Sequence, residues 1–167
     1  MCPLPFQDDG QLLIESSVLQ RAFSFRQARS VDCETGGILL GFRRGPHLHV
    51  CDLTVPQRGD LRRRYGFQRN DGQHQAIAIA RWKDSAHCMD YLGEWHTHPE
   101  LDPSPSSLDK SEWKKIAEHA NQPMVFLIAG TEYDFWLGVG SKRKLATMLK
   151  RTSVESMDPS LQKHHAN

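Results

Sequence analysis

The stretch that most constrains this chain is Gly93–Asp109, GEWHTHPELDPSPSSLD. It carries His96 and His98 one residue apart, then Pro99, then Asp109 eleven residues past His98. In a strand, alternate side chains share a face, so both histidines point the same way and can reach one ion. The residues before Pro99, MDYLGEWHTH, suit a strand, and Pro99, which lacks an N–H, ends it. Pro103 and Pro105 make the next connection short and stiff. Ser106–Ala120 then reads as a helix entered through serines and a proline. Asp109, Trp113, Ile116 and Ala120 fall at offsets of 4, 7 and 11, which is one inward face. Asp109 therefore belongs on the buried side of the first turn, where a helix N-terminus favours its charged form. Two neutral imidazoles and a carboxylate, with one position left for water, form the donor set of a catalytic zinc.

The pattern His-x-His-Pro-x6-Ser-x2-Asp is specific: at ordinary residue usage, a chance match is on the order of one in ten thousand. The plainer alternative makes the histidines satisfied polar groups and Asp109 a helix cap. Other zinc chemistries have no foothold. The His-x-Glu and Pro-Cys-x-x-Cys strings of nucleobase deaminases are missing, as is the His-Glu-x-x-His metalloprotease helix. Cys33 has no local group to activate it as a nucleophile, and free cysteines usually serve packing.

The rest of the chain sets bounds. With 167 residues it suits one domain with a real core. A net charge of +1 gives no global pull toward nucleic acid or an anionic membrane. The four cysteines are far apart with no Cys-x-x-Cys, as in a reduced chain. No apolar run approaches the ~20 residues of a membrane span, and MCPLPFQDDG lacks the marks of a signal peptide. These features place the protein in the cytoplasm. In order, Met1–Gly10 reads as a loose lead-in, Gln11–Ile14 as a strand, and Ser16–Gln27 as an amphipathic helix. Gly36–Phe42 and His47–Val55 read as a hairpin of strands, the first nearly all apolar and so buried. Pro56–Asp71 reads as a loop with five arginines interleaved with Tyr65 and Phe67, either solvated or a contact with substrate, with a contact to nucleic acid the third reading. Gly72–His87 reads as a helix of unclear inward face, with His74 and His87 as surface or capping residues. Pro123–Gly130 and Phe135–Gly140 read as strands, and Lys142–Lys150 as a short basic helix. Residues 1–150 form the expected domain, with 151–167 a polar tail whose His164 and His165 are solvated.

These residues resemble the JAMM (MPN+, JAB) metallopeptidases, whose signature is an upstream Glu, then His-x-His-Pro, then Ser-x-x-Asp. Here it reads Glu34, His96-Thr97-His98-Pro99 and Ser106-Ser107-Leu108-Asp109, with ETGGILLG similar to the family's Glu–Gly–Leu–Gly strand. The resemblance runs from about Leu12 to Gly140. It departs at Asp32-Cys33, where many eukaryotic members have proline. GEWHTHPE, PSPSSLD and Trp113 look most like compact bacterial members, often encoded beside ubiquitin-activating-like enzymes, notably in type II CBASS antiphage systems.

The resemblance implies an α/β fold of the MPN (JAB) type, a central mixed, curved β-sheet flanked by helices, cytidine-deaminase-like. It implies one Zn2+ per chain on His96, His98 and Asp109. Glu34 becomes the general base and Ser106 the oxyanion donor. The implied activity is an isopeptidase or peptidase that cleaves after the C-terminus of a ubiquitin-like modifier or conjugated protein. A cyclic-nucleotide synthase and E1/E2-like enzymes of the same operon are the implied partners. Two rival readings share the fold: a RadC-like DNA-repair protein, against which neutral charge and the Glu–Gly–Gly strand weigh, and a metal-free MPN binding module, against which the intact motif weighs.

Overall fold

The computed structural model describes residues 1–6, 8–142 and 144–151. Its centre is an eight-stranded mixed sheet in the order β1-β2-β4-β3-β7-β8-β9-β10. The strands are β1 (Cys2–Pro3), β2 (Gln11–Ile14), β3 (Gly36–Arg44), β4 (His47–Leu53), β7 (Met89–Thr97), β8 (Met124–Ala129), β9 (Phe135–Ser141) and β10 (Lys144–Arg151). Strand β2 runs parallel to β4 and β7 parallel to β8; the other neighbours are antiparallel. Register shifts interrupt β3 on both its partners and β10 on β9, and such bulges bend a sheet.

Three helices cover this sheet: α1 (Ser16–Phe23), α2 (Gln73–Asp84) and α3 (Ser107–Ala120). Strand β8, MVFLIA, is buried throughout because both of its faces are covered. Val125, Leu127 and Ala129 join the core that holds Val18 and Ala22 of α1. Met124, Phe126 and Ile128 join the second core, under Trp113 and Ala117 of α3. Gly93 lets β7 lie against β8, since a Cβ there would stand 1.7 Å from the Val125 carbonyl oxygen.

Four expectations are corrected. Lys142–Lys150 is no helix: Lys144–Arg151 pairs antiparallel with β9. Met1–Gly10 is not wholly loose, because Cys2–Pro3 pairs with β2. Helix α1 stops at Phe23 rather than Gln27, as Gln27 turns inward and is buried. Pro56–Asp71 is not a plain loop but contains a second, two-stranded sheet, β5 (Leu61–Arg63) with β6 (Gly66–Gln68). The expected tail lies almost wholly outside the described residues. Among the described residues, no helix is long and apolar enough to cross a membrane.

Candidate metal centre

His96 lies on β7, between β3 and β8, and His98 follows one residue past the strand's end. Backbone bonds fix this segment from both sides. Thr97 N–H donates to the Thr35 carbonyl at 2.8 Å, and His98 N–H donates to the Ala129 carbonyl at 2.9 Å. Thr35 N–H donates to Thr97 Oγ1 at 3.1 Å. The two rings are thereby held with Nε2 atoms 3.0 Å apart.

Helix α3 is the crossover between parallel β7 and β8, so its first turn sits at the carboxyl end of β7. Asp109 enters from there, with Oδ1 3.4 Å from His96 Nε2 and Oδ2 3.4 Å from His98 Nε2. An ion ~2.0–2.1 Å from each of its tetrahedral ligands separates those ligands by about 3.4 Å. The three observed spacings, 3.0, 3.4 and 3.4 Å, lie near that edge, the two carboxylate distances running to different oxygens of Asp109, and the donors are of the type zinc takes. His96, His98 and Asp109 form a group able to hold a metal ion.

Two supports orient these side chains. Ser106 caps α3: its hydroxyl accepts from Asp109 N–H at 3.1 Å and donates to Asp109 Oδ2 at 2.6 Å. Ser106 N–H donates to the same oxygen at 2.7 Å, closing a capping box that pins one side of the carboxylate. In this structure the Ser106 hydroxyl proton is thus given to Asp109. Beneath His96 lies Trp113, 5.3 Å away ring to ring and itself stacked on Phe126 and Trp136.

Glu34 precedes β3 and is buried, with Oε1 4.0 Å from His98 Nε2. Burial pushes its carboxyl up to about 7; His98 opposes this, and the Asp109 and Glu100 charges add to it. Asp109 goes the other way. Its burial also raises it, but bonds from His96, His98 and Ser106 win and hold it well below the usual carboxylate range. His98 is raised, because Asp109 and Glu34 outweigh its burial. Neighbouring carboxylates pushed apart in this way are suited to different roles, one fixed as an anion and one poised to exchange a proton.

A cleft of about 420 Å³ opens over these groups, lined by Glu34, His96, His98, Ser106 and Asp109 below and by the β5–β6 hairpin above. The hairpin is fastened at its tip. Arg63 carbonyl accepts Glu34 N–H at 2.8 Å, and Phe67 packs where a Cβ on Gly36 would intrude. The Gln27 amide donates to the Arg64 carbonyl at 2.9 Å and to the Asp32 carbonyl at 3.1 Å. Its oxygen accepts from Thr97 Oγ1 at 3.3 Å, between the two histidines.

All five expected site residues therefore come together. Sequence reasoning missed the hairpin roof, Gln27, and His74, which is fully buried rather than on the surface. His74 had no local signal, since the groups it bonds lie 14 and 20 residues away. His87 is exposed as expected, against the Trp82 ring.

A family model described as prokaryotic homologs of the JAB domain matches residues 16–138. A Vibrio cholerae protein named CD-NTase/cGAS isopeptidase is 40% identical over 150 residues, 89% of this chain and 94% of that one. A Pseudomonas aeruginosa protein of the same name is 42% identical over 127 residues, 74% of this chain and 80% of that one. The solution structure of a protein from Desulfitobacterium hafniense is 20% identical, covers 83% of this chain and 88% of that one, and superposes with a TM-score of 0.54, a likeness of fold. The mixed, bent sheet with flanking helices is the MPN (JAB) fold that the motif implied. By the family match over most of its length and by these relatives, the chain belongs to the prokaryotic homologs of the JAB domain.

Proposed function

We propose that this protein is a zinc-dependent isopeptidase that releases a CD-NTase, a cyclic-nucleotide synthase, from a conjugate in a CBASS antiphage system. The observation that carries the reading is the convergence of His96, His98 and Asp109 beside a buried Glu34 whose carboxyl is raised to about 7. The names of the relatives supply the substrate.

His96, His98 and Asp109 hold the metal in this reading. When bound, zinc acts as a Lewis acid toward a carbonyl and lowers the pKa of water from ~15.7 to ~7. Glu34 is the general base that takes the proton of the attacking water. It then returns that proton, as general acid, to the leaving lysine amine. An ordinary carboxylate is a poor match for both halves of this exchange near neutral pH, whereas a carboxyl near 7 serves both. Ser106 turns its hydroxyl from Asp109 to the developing oxyanion, while the Ser106 N–H keeps Asp109 in place. The substrate tail is extended, lies in the cleft, and adds beside β6 through main-chain hydrogen bonds. Among the described residues, strands β5 and β6 pair only with each other, which supports an available edge there.

The test is a CD-NTase whose C-terminal carboxyl is joined to a lysine side chain, incubated with the zinc-loaded protein and followed by mass spectrometry. The expected products are CD-NTase with an intact C-terminus and a free lysine, with no products from Glu34→Gln. An intact conjugate in the presence of zinc-loaded protein would overturn the assigned reaction.

A further inference from the structure

Outside the metal centre, one buried ionisable pair stands out: His74 and Asp60, whose side chains are both 0% exposed. His74 Nε2 lies 2.9 Å from Asp60 Oδ2, and His74 Nδ1 lies 2.6 Å from Thr54 Oγ1. An Asp–His–hydroxyl string is the arrangement of a nucleophile relay. Here it is sealed from solvent, and Thr54 Oγ1 already accepts the Ile38 N–H at 3.0 Å, so no substrate can reach the hydroxyl. One proton arrangement satisfies every atom with a neutral ring. His74 Nε2–H donates to Asp60, Thr54 O–H donates to Nδ1, and Thr54 Oγ1 accepts from Ile38.

The other contacts of Asp60 show what the string holds. Asp60 is the residue just before β5. Its Oδ2 also accepts the Gln57 N–H at 2.7 Å, and its Oδ1 accepts the Asn70 and Asp71 N–H groups at 3.1 and 3.2 Å. One carboxylate thus gathers both legs of the β5–β6 hairpin at its stem. Through His74, from the first turn of α2, that stem is joined to Thr54 and to Ile38 of β3, the strand that follows Glu34.

We infer that His74 is a positioning residue: through Asp60 it sets the hairpin over the metal cleft, and so sets how tightly the extended tail of the conjugate is held. The inference rests on the hairpin being the roof of the substrate cleft in the proposed isopeptidase. It assigns His74 to substrate binding rather than to metal binding or proton transfer. The Gln27 contacts hold the hairpin tip and the His74–Asp60 pair holds its base, so loosening the base tilts the roof without moving Glu34.

The test compares His74→Phe, which keeps volume but removes both bonds, with His74→Gln, which retains a donor for Asp60. For His74→Phe, KM for the CD-NTase conjugate should rise about tenfold with kcat within about twofold, the scale of one lost hydrogen bond to a charged group. Zinc content should stay that of the wild-type chain. Amide hydrogen exchange should quicken in residues 57–71 and not in β7 or β8. His74→Gln should recover most of the KM. In a chain with Leu61–Gln68 replaced by a short Gly-Ser link, His74→Phe should change KM no further. The inference is overturned if the KM effect persists without the hairpin, or if exchange quickens equally through the sheet, since His74 would then be an ordinary core residue. Should His74→Phe fail to fold, Thr54→Val cuts the same string at its other end and takes the same comparisons. If the wild-type chain cleaves no conjugate, the proposed reaction fails, and the exchange measurement still decides whether His74 holds the hairpin.

Discussion

At the scale of single residues, Glu34 and Asp109 show how burial and partners divide the labour between two identical functional groups. Asp109 receives donors from two imidazoles and a serine and stays an anion; Glu34 is buried with fewer compensations and is raised to about 7. Glu34→Gln should therefore keep the metal and lose turnover by at least ~100-fold, the scale of general acid–base catalysis; bound zinc and conjugate cleavage measured on one preparation check this. The raised carboxyl also has a stability signature in metal-free protein. A folded value of about 7 against an ordinary 4.5 means that folding favours the protonated form. Its contribution is fully present below about 4.5 and is lost as pH rises through about 7. His98, also raised, acts with the same sign from its ordinary 6.5 upward. Thermal melts of the chelated chain from pH 5 to 8 should show falling stability, and Glu34→Gln should flatten that fall. A melt unchanged by the substitution would contradict the environment assigned to Glu34.

Residues were legible where chemistry dictates type and spacing together. His96 and His98 could be read from period two and a terminating proline, and Asp109 from the helix entry after Pro105. Glu34 was less legible: its place at the mouth of a buried strand, before Gly36 and Gly37, is a weak mark, and it took the His-x-His-Pro partner and the resemblance to a known motif to single it out among 20 acidic residues.

At the scale of elements, α3 carries the site on two neighbouring turns. Its N-cap fixes Asp109 through Ser106, and its next turn places Trp113 under His96. Ser106→Ala removes a cap worth ~0.5–2 kcal/mol. It should also slow cleavage ~100- to 1000-fold if the hydroxyl serves the oxyanion. Retained zinc with unchanged rate would reduce Ser106 to a cap alone. Trp113→Ala should cost ~3–5 kcal/mol, as for a large buried aromatic, and weaken zinc binding as well, because His96 loses the surface its ring rests on. Denaturant unfolding and a zinc titration separate the two effects.

The misread elements show what a local pattern cannot carry. Leu145, Met148 and Leu149 fall at helical spacing, yet the segment is β10. Pairing with β9 decided its state, and the bulge between Thr147 and Leu149 shifts its alternation. Leu145 joins the α3 side of the sheet and Met148, at the bulge, joins the other. The hairpin hid for a related reason. LRRRYGFQ has no alternation of apolar and polar residues, since among the described residues its strands pair only with each other over a cleft and bury no regular face.

At the scale of the whole molecule, the sheet is a platform with both faces covered and one functional end. The carboxyl end of β7, the start of α3 and the entry to β3 meet there, and the hairpin closes over them. This topology explains why residues as far apart in sequence as Glu34 and Asp109 come together, and why the fold class could be read from the motif although several elements could not. The central claim is that His96, His98 and Asp109 hold one zinc ion on which cleavage depends. Its most direct test strips the metal with a chelator, returns zinc stepwise, and measures bound zinc and conjugate cleavage on the same samples. The account predicts that activity rises in proportion to zinc and saturates at about one ion per chain, with neither binding nor cleavage in His96→Ala. Full cleavage by the stripped chain, or zinc bound equally well without His96, would contradict it.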